Sequence, residues 1–459
     1  MKINHNLSAI VANDNLMINE DRLTTSLERL SSGLKLNSAK DSPSGMAMSI
    51  NMNAQIDGLN QASDNSQDGT SLLQTADGAL NEVASMLQRM RELAIQAANG
   101  TNSLSDRESI QQEIDALAEE IDRISKDTEF NGTTIFDGSM DTKVYTDHAG
   151  VRVTDVTSHV AAGDYVIEID APATSATING TGSVNETDNT PNQGVTGNIT
   201  INGISVAVVE TDSQAAIYMK IREAAESGGT DVTVEGGHYV FTADEPGADN
   251  TVSIVCDGDL ATYLGLSLGE ITAAGTDIRA HAVNGFRDTA TIVGEGNVIK
   301  MTDKGGFEII AKATDVAAGD QVNINVTGIG TMTLQVGANK GQTIDVKIPD
   351  MGAESLGVDH LNLLNEIGIT KAIGKLDDAI TKLSYVRSEI GAYENRLDYT
   401  FNSLEETIED MTSALSRLTD VDMAEEMSTY TNLQVLTQAG TSVLAQANQV
   451  PQQTLQMLQ

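Results

Sequence analysis

LDDAITKLSYVRSEIGAYENRLDYTFNSLEETIEDMTSALSRL, Leu376 to Leu418, is the stretch on which the fold turns. One series of its apolar and aromatic residues, Leu376, Ile380, Leu383, Val386, Ile390, Tyr393, Leu397, Phe401, Leu404, Ile408, Met411, Leu415 and Leu418, steps by three or four positions throughout. That spacing draws one stripe down a helix. Forty-three helical residues span about 65 Å, far beyond an ordinary globular helix, so the pattern predicts a coiled-coil rod or bundle. A stripe cannot be buried by its own helix. Another segment of the chain must cover it.

Candidates lie at the other end. Leu23, Leu27, Leu30 and Leu34 step by four, three and four, and Leu80, Val83, Leu87 and Met90 repeat the pattern. Asn99-Gly100 reads as a helix stop, Gly taking the left-handed cap at little cost. Ser105 with Glu108 reads as a capping box. A further stripe follows at Ile110, Ile114, Leu117, Ile121 and Ile124. The short gap predicts two antiparallel helices. Residues 1 to about 135 therefore read as helical, with Pro43 the one proline among them.

The middle changes period. Ile199 and Ile201, then Asn202-Gly203, then Ile204, Val206 and Val208 form the alternation and turn of a hairpin. Val232 and Val234, Gly236-Gly237, Tyr239 and Phe241 predict a second, with a short helix over 215–227 between them. Met332, Leu334 and Val336, Gly341, Ile344, Val346 and Ile348 predict a last hairpin before the long helix. The fold class expected is α+β: a long antiparallel helical bundle or coiled-coil rod from the N- and C-terminal segments, with a β-rich region inserted in the middle. The division expected is 1–42 with 420–459 as a terminal helical assembly domain, 43–140 with 332–419 as a helical rod carrying small hairpins, and 141–331 as a variable β-rich outer region.

Composition narrows the function. The 459 residues carry 27 basic and 66 acidic side chains, a formal charge of −39. Nucleic acid and anionic membrane both select clustered Lys and Arg, so neither is expected as a partner. No apolar run reaches the length of a membrane helix, so no membrane insertion is expected. The N-terminus has no continuous apolar core of the kind a secretory signal peptide carries, so export is expected by another route. Cys256 is the single cysteine, which excludes an intrachain disulfide and reads as a small buried apolar residue.

Against that charge, Met427 to Gln459 contains no Asp, Glu, Lys or Arg. Residues 3–13 are likewise free of formal charge, with Ile3, Leu7 and Ile10 in a stripe. Leu433, Leu436, Val443, Leu444 and Val450 recur through the tail among Gln, Asn, Thr and Ser. Amides and hydroxyls tolerate burial when hydrogen-bonded, whereas lone charges do not. A helix apolar or amide on every side is one surrounded by protein. Two such ends in one chain shield one face of each other and leave the rest wet. The tail is therefore expected to be disordered in a single chain and helical in an assembly of many copies. A heterologous contact that repeats makes an open filament.

Several stretches resemble bacterial flagellin: LERLSSGLKLNSAKDSPSGMAMS (27–49), DGALNEVASMLQRMRELAIQAANGTNS (77–103), IDRISKDTEFNG (121–132) and NQVPQQTLQMLQ (448–459). TGNITINGISVAVVE (196–210) is similar to a small repeat in the middle of many flagellins. The resemblance covers about 1–140 and 332–459. It implies an extracellular flagellar filament built as a homopolymer, with paired terminal helices as inner core and export through the flagellar secretion channel without a cleaved signal peptide. It also implies a flagellar export chaperone, a filament cap protein and hook-junction proteins as partners. In many flagellins the segment matching QRMRELAIQ and the following IQQEI is read by a host Toll-like receptor; the positions carried over are Arg89, Leu93 and Glu113. Arg89 and Leu93 are four apart on one helix, each one place ahead of a seam residue, and Glu113 stands likewise ahead of Ile114 on the antiparallel neighbour. Arg89, Arg91, Asp122, Arg123, Arg387 and Arg396 are expected to set lateral contacts in the rod.

No catalytic, cofactor-binding or metal-binding residues emerge. HExxH, GxSxG and phosphate-loop patterns are missing, and the histidines at 5, 148, 159, 238, 281 and 360 share no metal-ligand spacing. No enzyme is expected. The other readings weighed are a hook–filament junction protein with related ends, and a surface adhesin or binding protein on a flagellin-like scaffold.

Overall fold

The structure is a computed structural model, and it describes residues 6–157, 159–182 and 194–457. Its helices are α1 (Leu7–Ser32), α2 (Pro43–Ala97), α3 (Leu104–Asp127), α4 (Gln214–Ser227), α5 (Gly258–Leu264), α6 (Ala353–Leu356), α7 (Glu366–Thr419) and α8 (Met423–Met457). The long stripe is real: α7 runs for 54 residues, and α2 matches it with 55. Proline opens α2 where its missing N–H costs nothing, and the Ser42 side chain accepts the Gly45 N–H at 3.1 Å.

Two compact units divide the chain. One comprises Met1–Gly69, Gln335–Ile344 and Arg396–Gln459; the other comprises Thr70–Leu334 and Asp345–Asn395. Both α2 and α7 contribute residues to each. In the larger unit the rod core is made by Leu73, Leu80, Leu87 and Met90 of α2, Ile114 and Ile121 of α3, and Leu376, Leu383 and Ile390 of α7, all buried. These are the stripes of the sequence, interlocked.

Three local expectations need correction. The left-handed cap expected at Gly100 is not used; instead the Asn102 amide donates to the Gln96 carbonyl at 2.6 Å and closes the end of α2. The capping box forms at Ser103 and Asp106, two residues before the expected pair. Ser103 is extended, its N–H donates to Asp106 Oδ2 at 3.0 Å, and its hydroxyl accepts the Asp106 N–H. The tight Asn99–Asn102 turn brings Ser103 into cap geometry first, which leaves Ser105 inside the first turn. The helical zone also stops short of 135, because Glu129–Phe130 pairs with Thr133–Thr134 across Asn131-Gly132, both at positive φ.

The three hairpins form where expected. Asn202 (φ 45°) and Gly203 (φ 89°) make the turn between Gly197–Ile201 and Ile204–Val208, the mirror-image turn whose twist suits paired strands. Gly236-Gly237 joins Thr230–Glu235 to His238–Ala243, and Met332–Gln335 sits beside Thr343–Val346 in a two-stranded sheet.

The β-rich middle holds one module nested in another. The host is a sandwich of two four-stranded antiparallel sheets. One has the order Arg279–Asn284, Gly163–Ala171, Gln321–Val326, Val144–Thr146; the other is Thr291–Glu295, Val298–Thr302, Glu308–Ala313, Val151–Val156. Its core includes Ile167, Ile299, Ile309 and Val322, with Tyr165, Phe286 and Phe307 in mutual ring contact at one end. Between its strands, residues 176–182 and 194–274, referred to below as the 176–274 module, fold around a separate core containing Ile199, Ile217, Tyr239, Phe241 and Ile254. Cys256 is buried in this second core, where desolvation pushes its thiol up to about 11, so it is a packing residue.

At the base of the sandwich Asp141 is desolvated. Burial pushes its carboxyl up to about 6, Asp155 pushes it the same way, and the Thr142 N–H with Lys347 and Lys382 opposes them. The folded pKa lies above the ordinary aspartate value of 3.8, so the stability Asp141 contributes is full below about pH 4 and is lost as pH rises through about 6. Asp141→Asn keeps the acceptor for Thr142 and removes the charge. It should stabilise the fold by about 1–2 kcal/mol at neutral pH, with the gain vanishing below about pH 4. Chemical denaturation across that pH range checks both magnitude and sign; a gain that grew on acidification would show the assignment wrong.

Candidate functional site

The smaller unit pairs α1 with α8 antiparallel. Asn6 caps α1 by accepting the Ala9 N–H at 3.2 Å, and its amide donates to the Ala447 carbonyl at 2.8 Å. At the opposite end Gly33 takes the left-handed cap (φ 73°) and accepts the Val421 N–H, while the Lys35 N–H donates to the Thr419 carbonyl. Midway, Gly440 lies against Leu16 so closely that a Cβ there would stand 3.2 Å from Leu16 Cδ1. The tail is thus helical in the single chain, contrary to the disorder expected of it, because α1 supplies one apolar face for it to lie on.

That face is narrow. Leu433 is 9% exposed, but Leu7 is 73%, Ile10 51%, Leu436 51%, Val443 55% and Val450 53% exposed. Leu444 is half-covered, and Ile3 lies outside the described residues. The pair shields one strip of each helix and leaves large aliphatic side chains in water around the rest, as the charge pattern implies. The α7 stripe fades the same way: Leu376, Leu383, Val386, Ile390, Leu397 and Leu404 are buried, whereas Ile408, Met411, Leu415 and Leu418 beyond them are all only half-covered. Contiguous apolar surface of this kind marks an interaction site on a protein.

On the rod of the larger unit, Arg89 and Glu113 meet. The guanidinium donates to Glu113 Oε1 through Nε at 3.0 Å and Nη2 at 2.7 Å, with Glu92 3.6 Å from Nη1. The hydrogen bond to Glu113 holds the guanidinium above its ordinary range. Both side chains are about half exposed, so the pair adds little stability in water and fixes instead the direction in which each points. Leu93 is not beside them on the surface; at 2% exposed it belongs to the core, since the packing of α3 extends the buried face of α2 one residue beyond the seam.

The charges expected to face other copies are mostly paired within the chain. Arg387 grips Asp77 at 2.8 Å, Arg91 meets Asp377 at 2.5 Å, and Arg123 bridges Glu120 and Asp127. Asp122 accepts the Ala353 N–H at 2.7 Å, ordering the start of α6. Arg396 is exposed. The sequence carried the charges and their helices but not these pairings, which depend on the relative rotation of α2, α3 and α7. Among the described residues no cluster of His, Cys, Asp and Glu could hold a metal, and no helix is long and apolar enough to cross a membrane.

Residues 3–141 match the bacterial flagellin N-terminal helical region, and residues 373–458 match the bacterial flagellin C-terminal helical region. A flagellin of Clostridium tyrobutyricum is 34% identical over 452 residues, covering 98% of this chain and 100% of that protein. A flagellin of Salmonella muenchen is also 34% identical, with 99% of both chains covered. Among solved structures, FliC from Burkholderia pseudomallei shares 18% identity over 72% of this chain and 99% of its own, at a TM-score of 0.24. That overlay is too loose to carry weight, and the sequence relationship does not need it: from end to end, this chain belongs to the flagellin family, whose members are structural subunits of the flagellar filament.

Proposed function

We propose that the filament this chain builds is held at its centre by the α1–α8 pair, and that exposed Leu7, Ile10, Leu436, Val443 and Val450, with half-covered Leu444 and with Ile3, are buried there by neighbouring copies. The observation that carries this is the conjunction of large aliphatic side chains in water with a 33-residue stretch lacking any charge. In this reading 1–42 with 420–459 is the inner core, 43–140 with 332–419 the rod around it, and 141–331 the part facing the medium. Leu433 holds the pair together and the others meet the next subunit. Removal of Met427–Gln459 is the test. Export through the flagellar channel, a chaperone holding the tail before assembly, a cap at the growing tip and junction proteins at the base complete the reading, and the likeness to flagellins is what supports them.

The same reading gives the rod a recognition patch for a host Toll-like receptor at Arg89 and Glu113, with Leu93 acting from beneath by fixing α2 against α3. The pair supports it, since Nε and Nη2 of Arg89 both donate to Glu113 Oε1 and so present two charges in one orientation, which lowers the ordering cost on binding. Arg89→Ala and Glu113→Ala are each expected to weaken receptor binding by about tenfold or more, the range of a truncated interface anchor. Surface plasmon resonance on soluble monomer reads this. Unchanged affinity in both variants removes the patch.

A further inference from the structure

The nested module (residues 176–274) is joined to the rest of the larger unit in an unusual way. Its apolar core is its own and includes no residue of α3 or α7. The chain enters and leaves through one neck, where Thr174 and Thr276 exchange backbone hydrogen bonds of 3.0 Å and their hydroxyls meet at 2.8 Å. The loop beside the neck is fixed to the host sandwich: the Gly247 N–H donates to the Thr174 carbonyl, and Asp277 Oδ1 accepts from Ala248 and Gly296. Opposite the rod, a cleft of about 570 Å³ separates the module from the helices, with Asn202, Gly228 and Gly229 on one wall and Gln111, Asp115 and Asn362 on the other.

What spans that cleft is polar. The Lys371 ammonium on α7 donates to the Asp249 carbonyl at 3.0 Å and to Asn250 Oδ1. One turn on, Lys375 lies 3.5 Å from Glu245, and the Asn362 amide donates to the Ser227 carbonyl at 3.4 Å. Burial draws the Lys371 ammonium below its usual range, with Lys375 pushing the same way and Glu245, Asp249 and Glu295 opposing. Two modules with separate cores, one neck and a polar bridge across a cleft have the parts of a hinge.

We propose that residues 176–274 form a hinged arm, latched against the rod by Lys371 and Lys375 and released when those contacts are screened or removed. The Lys375–Glu245 pair joins half-exposed charges whose attraction falls steeply with salt, while the Lys371 ammonium is held by the Asp249 carbonyl and the Asn250 amide oxygen next to the carboxylates of Glu245 and Asp249. The neck and the Gly247–Ala248 contacts with Thr174 and Asp277 form the pivot and survive release, so the arm turns about them rather than unfolds.

The test uses the full chain with Cys256→Ala and nitroxide labels at Glu119→Cys on α3 and Glu223→Cys on α4, both exposed positions. Electron–electron double resonance should give one narrow separation at low salt. Raising salt to about 1 M, where the screening length is about 3 Å, should broaden the distribution by about twofold or more. Lys371→Ala should give the broad distribution already at low salt, and Lys220→Ala, which breaks a pair inside the module, should leave it narrow. The salt series on the chain with its native lysines stands independently of how the variants fold. A distribution that stays narrow in high salt, or one equally broad at every salt with Lys371 in place, overturns the latch.

Discussion

Cells making this protein without Met427–Gln459 are expected to be non-motile, and the truncated chain is expected to remain a soluble monomer with no filaments by electron microscopy. The argument is one of surface. Deleting the segment removes nearly all of α8, and with it the cover over Leu16 on α1. The loss to a single chain is small, because few side chains in that pair are buried. The loss to an assembly is large, because every exposed aliphatic residue of α8 is then unavailable to neighbouring copies, and burial of each such side chain is worth about 1.5–3 kcal/mol. Helix content by circular dichroism should fall by no more than the deleted residues and the α1 they covered. Filaments of normal length from the truncated chain would show that the inner helices are not the assembly element.

A second large effect is expected in the rod. Leu383 is 1% exposed and sits in the middle of the α7 stripe. Leu383→Ala leaves a cavity and should cost about 2–5 kcal/mol, the spread reflecting how far the surrounding helices relax. Leu383→Asp places a carboxylate without a partner in the same space and should abolish the cooperative unfolding transition of the larger unit at neutral pH. Thermal melts followed at 222 nm separate the two, and Tyr385→Asp, two residues away and exposed, is the control. An aspartate at 383 that left the melt unchanged would mean the stripe is not the core it is taken for.

The contrast between Leu383 and Leu93 shows what was legible beforehand. Period alone places Leu383 inside, because α7 follows its stripe faithfully over the rod core. Period alone places Leu93 on a flank, and it is buried, because a helix packed on two sides buries more than one stripe. The hairpins were legible for a local reason: Asn202-Gly203 and Gly236-Gly237 need positive φ, and neighbouring alternation fixes the strands. Asn131-Gly132 carried the same signal and was overrun by the helical pattern before it. The cap at Ser103 was missed because Ser-x-x-Asp and Ser-x-x-Glu overlap there, and the Asn102 side chain decides between them. The nesting of one β module within another was not readable at all, since strand order depends on contacts such as Glu168 with His281 and Gln321 that are far apart in sequence. For the proposed assembly surface, period and missing charge point to the residues, and the structure adds that Leu433 is already covered within the single chain.

Both ends of the 176–274 module leave through the single point marked by Thr174 and Thr276, so to the host sandwich the whole module is one long loop. A loop whose ends stand a strand's width apart can be lengthened, shortened or replaced without disturbing the register on either side. The host sandwich is therefore built as a socket, and a domain of unrelated sequence whose own termini lie close together would fit it while the two sheets beneath kept their geometry.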